Sequence, residues 1–481
     1  MDISALKIAA AAFKTALHSQ DRQALIVAAR RLVELEAPLG QQWQGLVQEV
    51  FRWGELSLAL SALNVWHRQG IAATAINYEK ALLLSRSGLT GRASTLAEAL
   101  PVDFPTPVAN AYLRGALAIT QGQPELAEQH FRRAVASRPD SGRSWLGIAQ
   151  IGNVKDGDRA TMEALAAKGG FEDEEDHAAL ENALGLVEHS RGDYAAAFRH
   201  FERSTHIVRS QRPYSGDDNA QSAAIAASWT ASDLELLTEE QRAASRTPII
   251  VTGLPRSGTT LVQQILSAHS AVDGGAELGL ALQIEAMAGG FSPPDLRAFL
   301  TAGGELSDLR DTYLRLASER IPGEGAFVDK SLNQSRSLGP YALLFPEAPV
   351  IWLRRDPLDN AWSIFRTWLS RSAVSGWSLE DIAHHMKLED ALFEHWSREL
   401  GDRLLAVPYS DLVERPDEWI ERITRHCGLI PEPAQSQFHR AARGVSTASA
   451  MQVREPINRR GIGSAERYRQ FLKPFIDAYE A

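Results

Sequence analysis

Apolar residues recur at three- and four-residue spacing through the first 215 or so positions, in stretches rich in Ala, Leu, Gln, Arg and Glu with few β-branched runs. That period places the apolar side chains on one face of each segment and predicts helix after helix. Beyond residue 247 the pattern changes. Short apolar runs stand at 247–253, 325–330, 348–355 and 403–409, each followed by helical periodicity. Strands alternating with helices predict a parallel sheet covered on both faces, with ligands beyond the carboxyl ends of the strands. The intervening stretch is polar and rich in small residues, and reads as a connecting helical segment in which Ser232 or Asp233 can cap a helix start. The expected organisation is α followed by α/β: an all-helical region over 1–215, a connector over 216–247 and an α/β domain over 248–481.

The helical region contains a second, longer period. Within 109–140, Gly115, Ala127, Phe131, Ala134 and Pro139 place small residues where two helices touch, a bulky ring on the second helix and a proline near its end. Gly185, Ala197 and Phe201 repeat the pattern 70 residues later, leaving room for a divergent unit starting near Trp145. Trp43, Leu46, Ala59 and Leu63 match more loosely. This spacing resembles the tetratricopeptide repeat, which implies a solenoid of stacked helix pairs with a face available to a peptide or partner. A plain helical bundle is the alternative.

Composition narrows the chemistry. Of 481 residues 44% are hydrophobic and 23% charged, the balance of a folded globular chain. The net charge of -10 removes any global attraction to nucleic acid or anionic lipid, so a basic site must be local. The single cysteine, Cys427, cannot form an intrachain disulfide, and no Cys/His spacing supplies a zinc site. His384 and His385 are adjacent and expected on a helix surface. With no long apolar run and no secretory pattern, the expectation is a cytoplasmic protein without a membrane span.

The sharpest local signal is IIVTGLPRSGTTLVQQIL, an apolar strand, a turn containing Gly253 and Gly258, and a periodic helix. Glycines let the backbone approach an anion, and amides at the helix start point toward it. Compared with the nucleotide-triphosphatase loop, both glycines are kept but Thr259 stands where the lysine belongs, which disfavours ATP or GTP hydrolysis. Arg256 inside the loop suits a bidentate grip on phosphate or sulfate.

Here the sequence resembles the sulfotransferase family, whose donor is 3'-phosphoadenosine 5'-phosphosulfate (PAPS). PRSGTT, with Arg256, Ser257, Gly258, Thr259 and Thr260, is similar to its 5'-phosphosulfate loop, and Arg355 followed eight residues later by Ser363 matches its 3'-phosphate element. The likeness runs from 248 to about 475 and is nearest to the protein-tyrosine sulfotransferase branch. It implies Glu277 as catalytic base, Lys330 as the active-site lysine, Tyr409 as a 3'-phosphate contact and Ser449 beside the transferring sulfate. Singly, these residues also fit a helix-start carboxylate, a strand-end ammonium, a strand aromatic and a loop hydroxyl. Two positions depart from the pattern: Arg366 precedes Thr367, where the family has its basic residue, and Glu455 replaces a lysine, with Arg454 beside it.

The resemblance therefore implies a P-loop-like α/β sulfotransferase domain behind helical repeats, transferring a sulfuryl group from PAPS to an acceptor hydroxyl, with adenosine 3',5'-bisphosphate released and no metal needed. A tyrosine of a protein or peptide held by the repeats is the leading acceptor; carbohydrates, lipids and small phenols are alternatives. A nucleotide kinase or triphosphatase and a non-catalytic nucleotide-binding scaffold are the rival functions. No nucleic-acid partner is expected.

Overall fold

The computed structural model describes residues 2–234, 246–369, 374–440, 444, 445, 447 and 449–481. Helices occupy the N-terminal region in antiparallel pairs, from Ile3–Ser19 with Arg22–Glu34 to Glu174–Arg191 with Tyr194–Gln211. Asp2 and Asp21 accept amide hydrogen bonds at the first two helix starts, satisfying donors that a helix leaves open. The pair Pro107–Thr120 and Pro124–Ser137 shows why the repeat needs its small residues. Phe131 is buried between Gly115 of its own pair and Gly147 of the next, and a Cβ at either glycine would stand within 2.6 Å or 2.5 Å of the ring. Gly185 and Phe201 repeat this approach, at 2.7 Å.

The connector opens with the helix Gly216–Ala227, capped by Ser215. The short helix that follows, Ala231–Leu234, starts ahead of Ser232 and Asp233, so neither residue caps it from outside as the sequence suggested. Asp233 sits inside its first turn and accepts from the Thr230 amide over 3.0 Å and from Arg297 over 2.6 Å. Residues 235–245 of the expected connector lie outside the described residues.

Five strands form one parallel sheet: β1 (Pro248–Gly253), β2 (Val272–Ala276), β3 (Ala326–Asp329), β4 (Val350–Arg354) and β5 (Leu404–Pro408), in the order β2-β3-β1-β4-β5. Strand alternation divides the core between two faces. Ile249 and Val251 pack with Val262, Ile265 and Ile351 on one side; Ile250 packs with Phe327, Trp352 and Trp396 on the other. Four strands coincide with apolar runs in the sequence. β2, Val-Asp-Gly-Gly-Ala, has no such run, because a Cβ at Gly275 would stand 2.8 Å from Gln263 and 2.9 Å from Val328. Close helix packing there excludes the residues that usually announce a strand.

The helical region packs against the sheet domain over much of its length. Glu55 is buried and accepts from Arg22 at 2.8 Å and from Arg315 of the sheet domain at 2.6 Å, so one cation from each side shares the same acid. Phe198 and Phe201 pack on Trp362, the latter edge-on with centroids 5.7 Å apart. His385 is not on a surface: it is buried, with Nδ1 3.2 Å from the Asn219 Oδ1, and half-buried His384 meets the Tyr214 hydroxyl at 2.9 Å. The connector helix covers that side and overrides the expectation from local sequence. Among the described residues no helix is long and apolar enough to cross a membrane.

Candidate active site

Because all strands are parallel, their carboxyl ends lie along one edge, and the site is built there. Gly253 closes β1 with φ 136°, and Gly258 starts the helix Thr259–Ser267 with φ 110°. A Cβ on Gly258 would also stand 2.8 Å from the Tyr409 ring. Between them Arg256 adopts φ 67°, a left-handed conformation that costs a side-chain-bearing residue energy and is kept because the surroundings fix it. The Asn360 amide holds the Pro255 carbonyl at 2.7 Å, and the Arg355 guanidinium holds the Arg256 carbonyl at 2.8 Å. The Ser257 hydroxyl is buried inside this loop without a hydrogen-bond partner.

The Arg256 guanidinium reaches across the site. It donates to the Ser363 hydroxyl at 3.3 Å, to the Ser449 hydroxyl, and to the Gln452 carbonyl at 2.7 Å. Arg355, beyond the end of β4, lies over the Tyr409 ring with its guanidinium carbon 5.0 Å from the centroid, and also donates to the Gly461 carbonyl. Arg366, one residue past the helix Pro357–Phe365 that carries Ser363, completes a trio of half-buried guanidiniums. A cavity of about 810 Å³ is lined by Arg256, Arg355, Arg366, Ser363, Tyr409 and Ser449, together with Gly258 and Thr260. Ser257 and Thr259 are buried in the loop beneath it and do not line it.

Electrostatics identify what this cavity wants. Enclosure, then Arg366 and Arg355, pushes the Arg256 guanidinium down to about 9; enclosure pushes Arg355 and Arg366 down as well. No salt bridge joins any of the three to a carboxylate among the described residues. Cations that repel one another in a poorly solvated site are relieved by a bound polyanion. The unpaired Ser257 hydroxyl and the buried, unpaired Arg355 Nε add donors without acceptors. A nucleotide with anionic groups at both the 5' and 3' ends fits this donor set.

Glu277 and Lys330 form a separate pair, just past β2 and β3. The Lys330 amide donates to the Ala276 carbonyl at 3.0 Å, and its buried ammonium donates to Glu277 Oε1, while the Glu277 side chain is 34% exposed and so open to a second molecule. Neither residue lines the nucleotide-sized cavity. The preceding residue, Asp329, is fully buried and accepts from Ser331 at 2.6 Å and Tyr313 at 2.7 Å, fixing the turn that presents Lys330.

Sequence reasoning left Arg366 as an open contact, and the structure lines the cavity with it. Arg454 turns away and donates to the Thr120 carbonyl at 2.7 Å, whereas Glu455 lines the cavity, and the Thr367 hydroxyl folds back onto the Ser363 carbonyl at 2.6 Å. Gln452, which grips Arg256, and His189 and Gln150, which come from the helical region, carried no chemical motif. Their neighbours in space are far away in the chain.

The model of the sulfotransferase family matches residues 248–433. That stretch is a sulfotransferase-family domain. An uncharacterized protein of Aquifex aeolicus is 31% identical over 244 residues, covering 48% of this chain and 32% of the relative. A protein-tyrosine sulfotransferase of Drosophila melanogaster is 26% identical over 228 residues, covering 44% of this chain and 45% of that protein. The chain thus spans 32% and 45% of the length of these two curated relatives. Among solved structures, the sulfotransferase domain of the Synechococcus PCC 7002 olefin synthase aligns with TM-score 0.35 and 19% identity, covering 48% of this chain and 94% of that domain.

Proposed function

We propose that the protein transfers a sulfuryl group from PAPS to an acceptor hydroxyl. The observation that carries this reading is the convergence of Arg256, Arg355 and Arg366 on one cavity beside the strand-to-helix loop of the sulfotransferase-family domain. In this reading Arg256, Gly258 and Thr260, the loop residues that line the cavity, hold the 5' end of the donor, with Arg355, Ser363 and Tyr409 holding the 3'-phosphate. Bound there, the donor supplies the sulfuryl group: the acceptor oxygen bonds to sulfur as the bond from sulfur to the 5'-phosphate breaks, releasing adenosine 3',5'-bisphosphate.

The chain's own groups do the rest. Glu277 takes the acceptor proton, work that is worth roughly 10²- to 10⁴-fold in rate. Lys330 orients that carboxylate through Oε1 and adds positive charge at the strand ends. Arg256 and Ser449, already bonded to each other, offer fixed donors to charge that develops between the substrates. A tyrosine of a protein or peptide is the acceptor we favour, supported by the likeness to the Drosophila protein-tyrosine sulfotransferase.

A labelled-donor transfer assay on the full chain, with tyrosine peptides, small phenols and sugars as acceptors, tests this. Label on a tyrosine peptide, lost in Glu277→Ala, is the expected result. Donor that binds but reaches no hydroxyl would support a scaffold, and failure to bind the donor would overturn the reading.

A further inference from the structure

The wall of the arginine-lined cavity is not made by the sheet domain alone. Gln150, at the end of the helix Gly142–Ile151, and His189, on the helix Glu174–Arg191, face the same cavity from the helical region. His189 is held from behind. Its Nδ1 lies 2.7 Å from the Tyr468 hydroxyl, and the two rings stack with centroids 5.8 Å apart and 17° between planes. Tyr468 stacks in turn on Trp362 at 3.7 Å. Trp362 precedes Ser363, and the Arg366 guanidinium lies 5.8 Å over its ring. Packed rings therefore tie the helical region to two of the groups that face the cavity.

The chemistry of the ring suits an anion. Burial, then the charges of Arg366 and Arg467, pushes the imidazole down to about 4, so it is neutral near pH 7. Burial raises the Tyr468 hydroxyl, which keeps its proton and can donate it to Nδ1. A neutral ring that accepts at Nδ1 carries its own proton on Nε2 and presents a hydrogen-bond donor there. Its cationic neighbour Arg366 adjoins the Ser363 helix, the 3' side of the donor in the reading above.

Resting on that reading, we propose that His189 is a ligand of the donor's 3'-phosphate, so that the nucleotide site is shared between the helical region and the sheet domain. The repeats then set affinity for the donor and are more than an acceptor platform. No transfer of atoms is involved; the inference concerns binding.

Calorimetry on the full chain distinguishes the outcomes, with adenosine 3',5'-bisphosphate and adenosine 5'-phosphosulfate, which lacks the 3'-phosphate, as probes. In His189→Ala, affinity for the bisphosphate is expected to fall ~10-fold, the scale of a hydrogen bond to a charged group, with the phosphosulfate unaffected. His189→Gln, which keeps an N–H donor, should recover part of the loss and serves in place of the alanine variant if that one unfolds. Tyr468→Phe keeps the stack and removes the hydroxyl, and should lose bisphosphate affinity to a smaller extent. Unchanged bisphosphate affinity in His189→Ala, or an equal loss for both probes, overturns the inference while leaving the proposed function standing. A wild-type protein that binds neither probe overturns the proposed function itself.

Discussion

The Arg355 guanidinium donates to the backbone carbonyl of Arg256 across 2.8 Å. The arginine that follows β4 thus braces the left-handed residue of the loop that follows β1, and two anion-facing elements a hundred residues apart become one unit. Under the proposed function, Arg355→Ala would remove a phosphate ligand and release the loop together. The expected loss of adenosine 3',5'-bisphosphate affinity by calorimetry is ~100-fold, toward the upper end of what one charge-assisted hydrogen bond supplies. Arg355→Lys keeps the charge but not the planar fork that spans the Arg256 and Gly461 carbonyls, and should recover little.

Glu277 and Lys330 lie outside the cavity lining, which separates their effects from donor binding. Glu277→Gln is nearly isosteric and removes the ability to accept a proton together with the charge that pairs with the Lys330 ammonium. Single-turnover transfer should slow by ~10²- to 10⁴-fold while affinity for the bisphosphate holds. A parallel loss of affinity would place Glu277 in the nucleotide site and remove it from the role of base.

His385 predicts an acid-dependent loss of stability. Buried beside Arg336 and His384, its imidazole is pushed down to about 3, chiefly by burial. The unfolded chain, with an ordinary histidine, takes up a proton as pH falls below about 6.5, and the folded chain does so only near 3. Folding is therefore favoured above that window and weakened within it, by up to ~1.4 kcal/mol per pH unit for one proton. Denaturant unfolding of wild type and His385→Gln between pH 7 and 4 should show a shallower decline in the variant. Parallel curves would mean that other groups carry the acid sensitivity.

The residues legible in the sequence were those whose role is local. The loop around Arg256 and the small-to-bulky pairing of Gly115 with Phe131 each follow from a short stretch and its backbone geometry. β2 was hidden because its Gly275 serves the close packing of Gln263 and Val328, not strand propensity. His385 was misplaced because a covering helix, whose Asn219 lies 166 residues upstream, decides its burial. His189 could not be found at all: its meaning depends on Tyr468, which lies 279 residues away. Tertiary contact decides such positions, and periodicity does not register it.

Thr120 supplies the last prediction. Its carbonyl, at the end of the helix Pro107–Thr120, accepts from the Val445 amide at 2.9 Å and from the Arg454 guanidinium at 2.7 Å. These two donors bracket Ser449 and Gln452, two of the three side chains that accept from Arg256, so a helix of the N-terminal region holds the chain on either side of them. Arg454→Ala frees one end without substituting any cavity-lining residue. Misplacement of positioned groups by about 1 Å can cost ~10²-fold, and a partly tethered segment should lose less, ~10-fold in transfer rate. The Arg454→Lys ammonium can still reach the carbonyl and should restore most of it. Thermal unfolding should barely move in either variant, which separates positioning from stability. Wild-type transfer in Arg454→Ala would show that Ser449 and Gln452 hold Arg256 without help from the repeats.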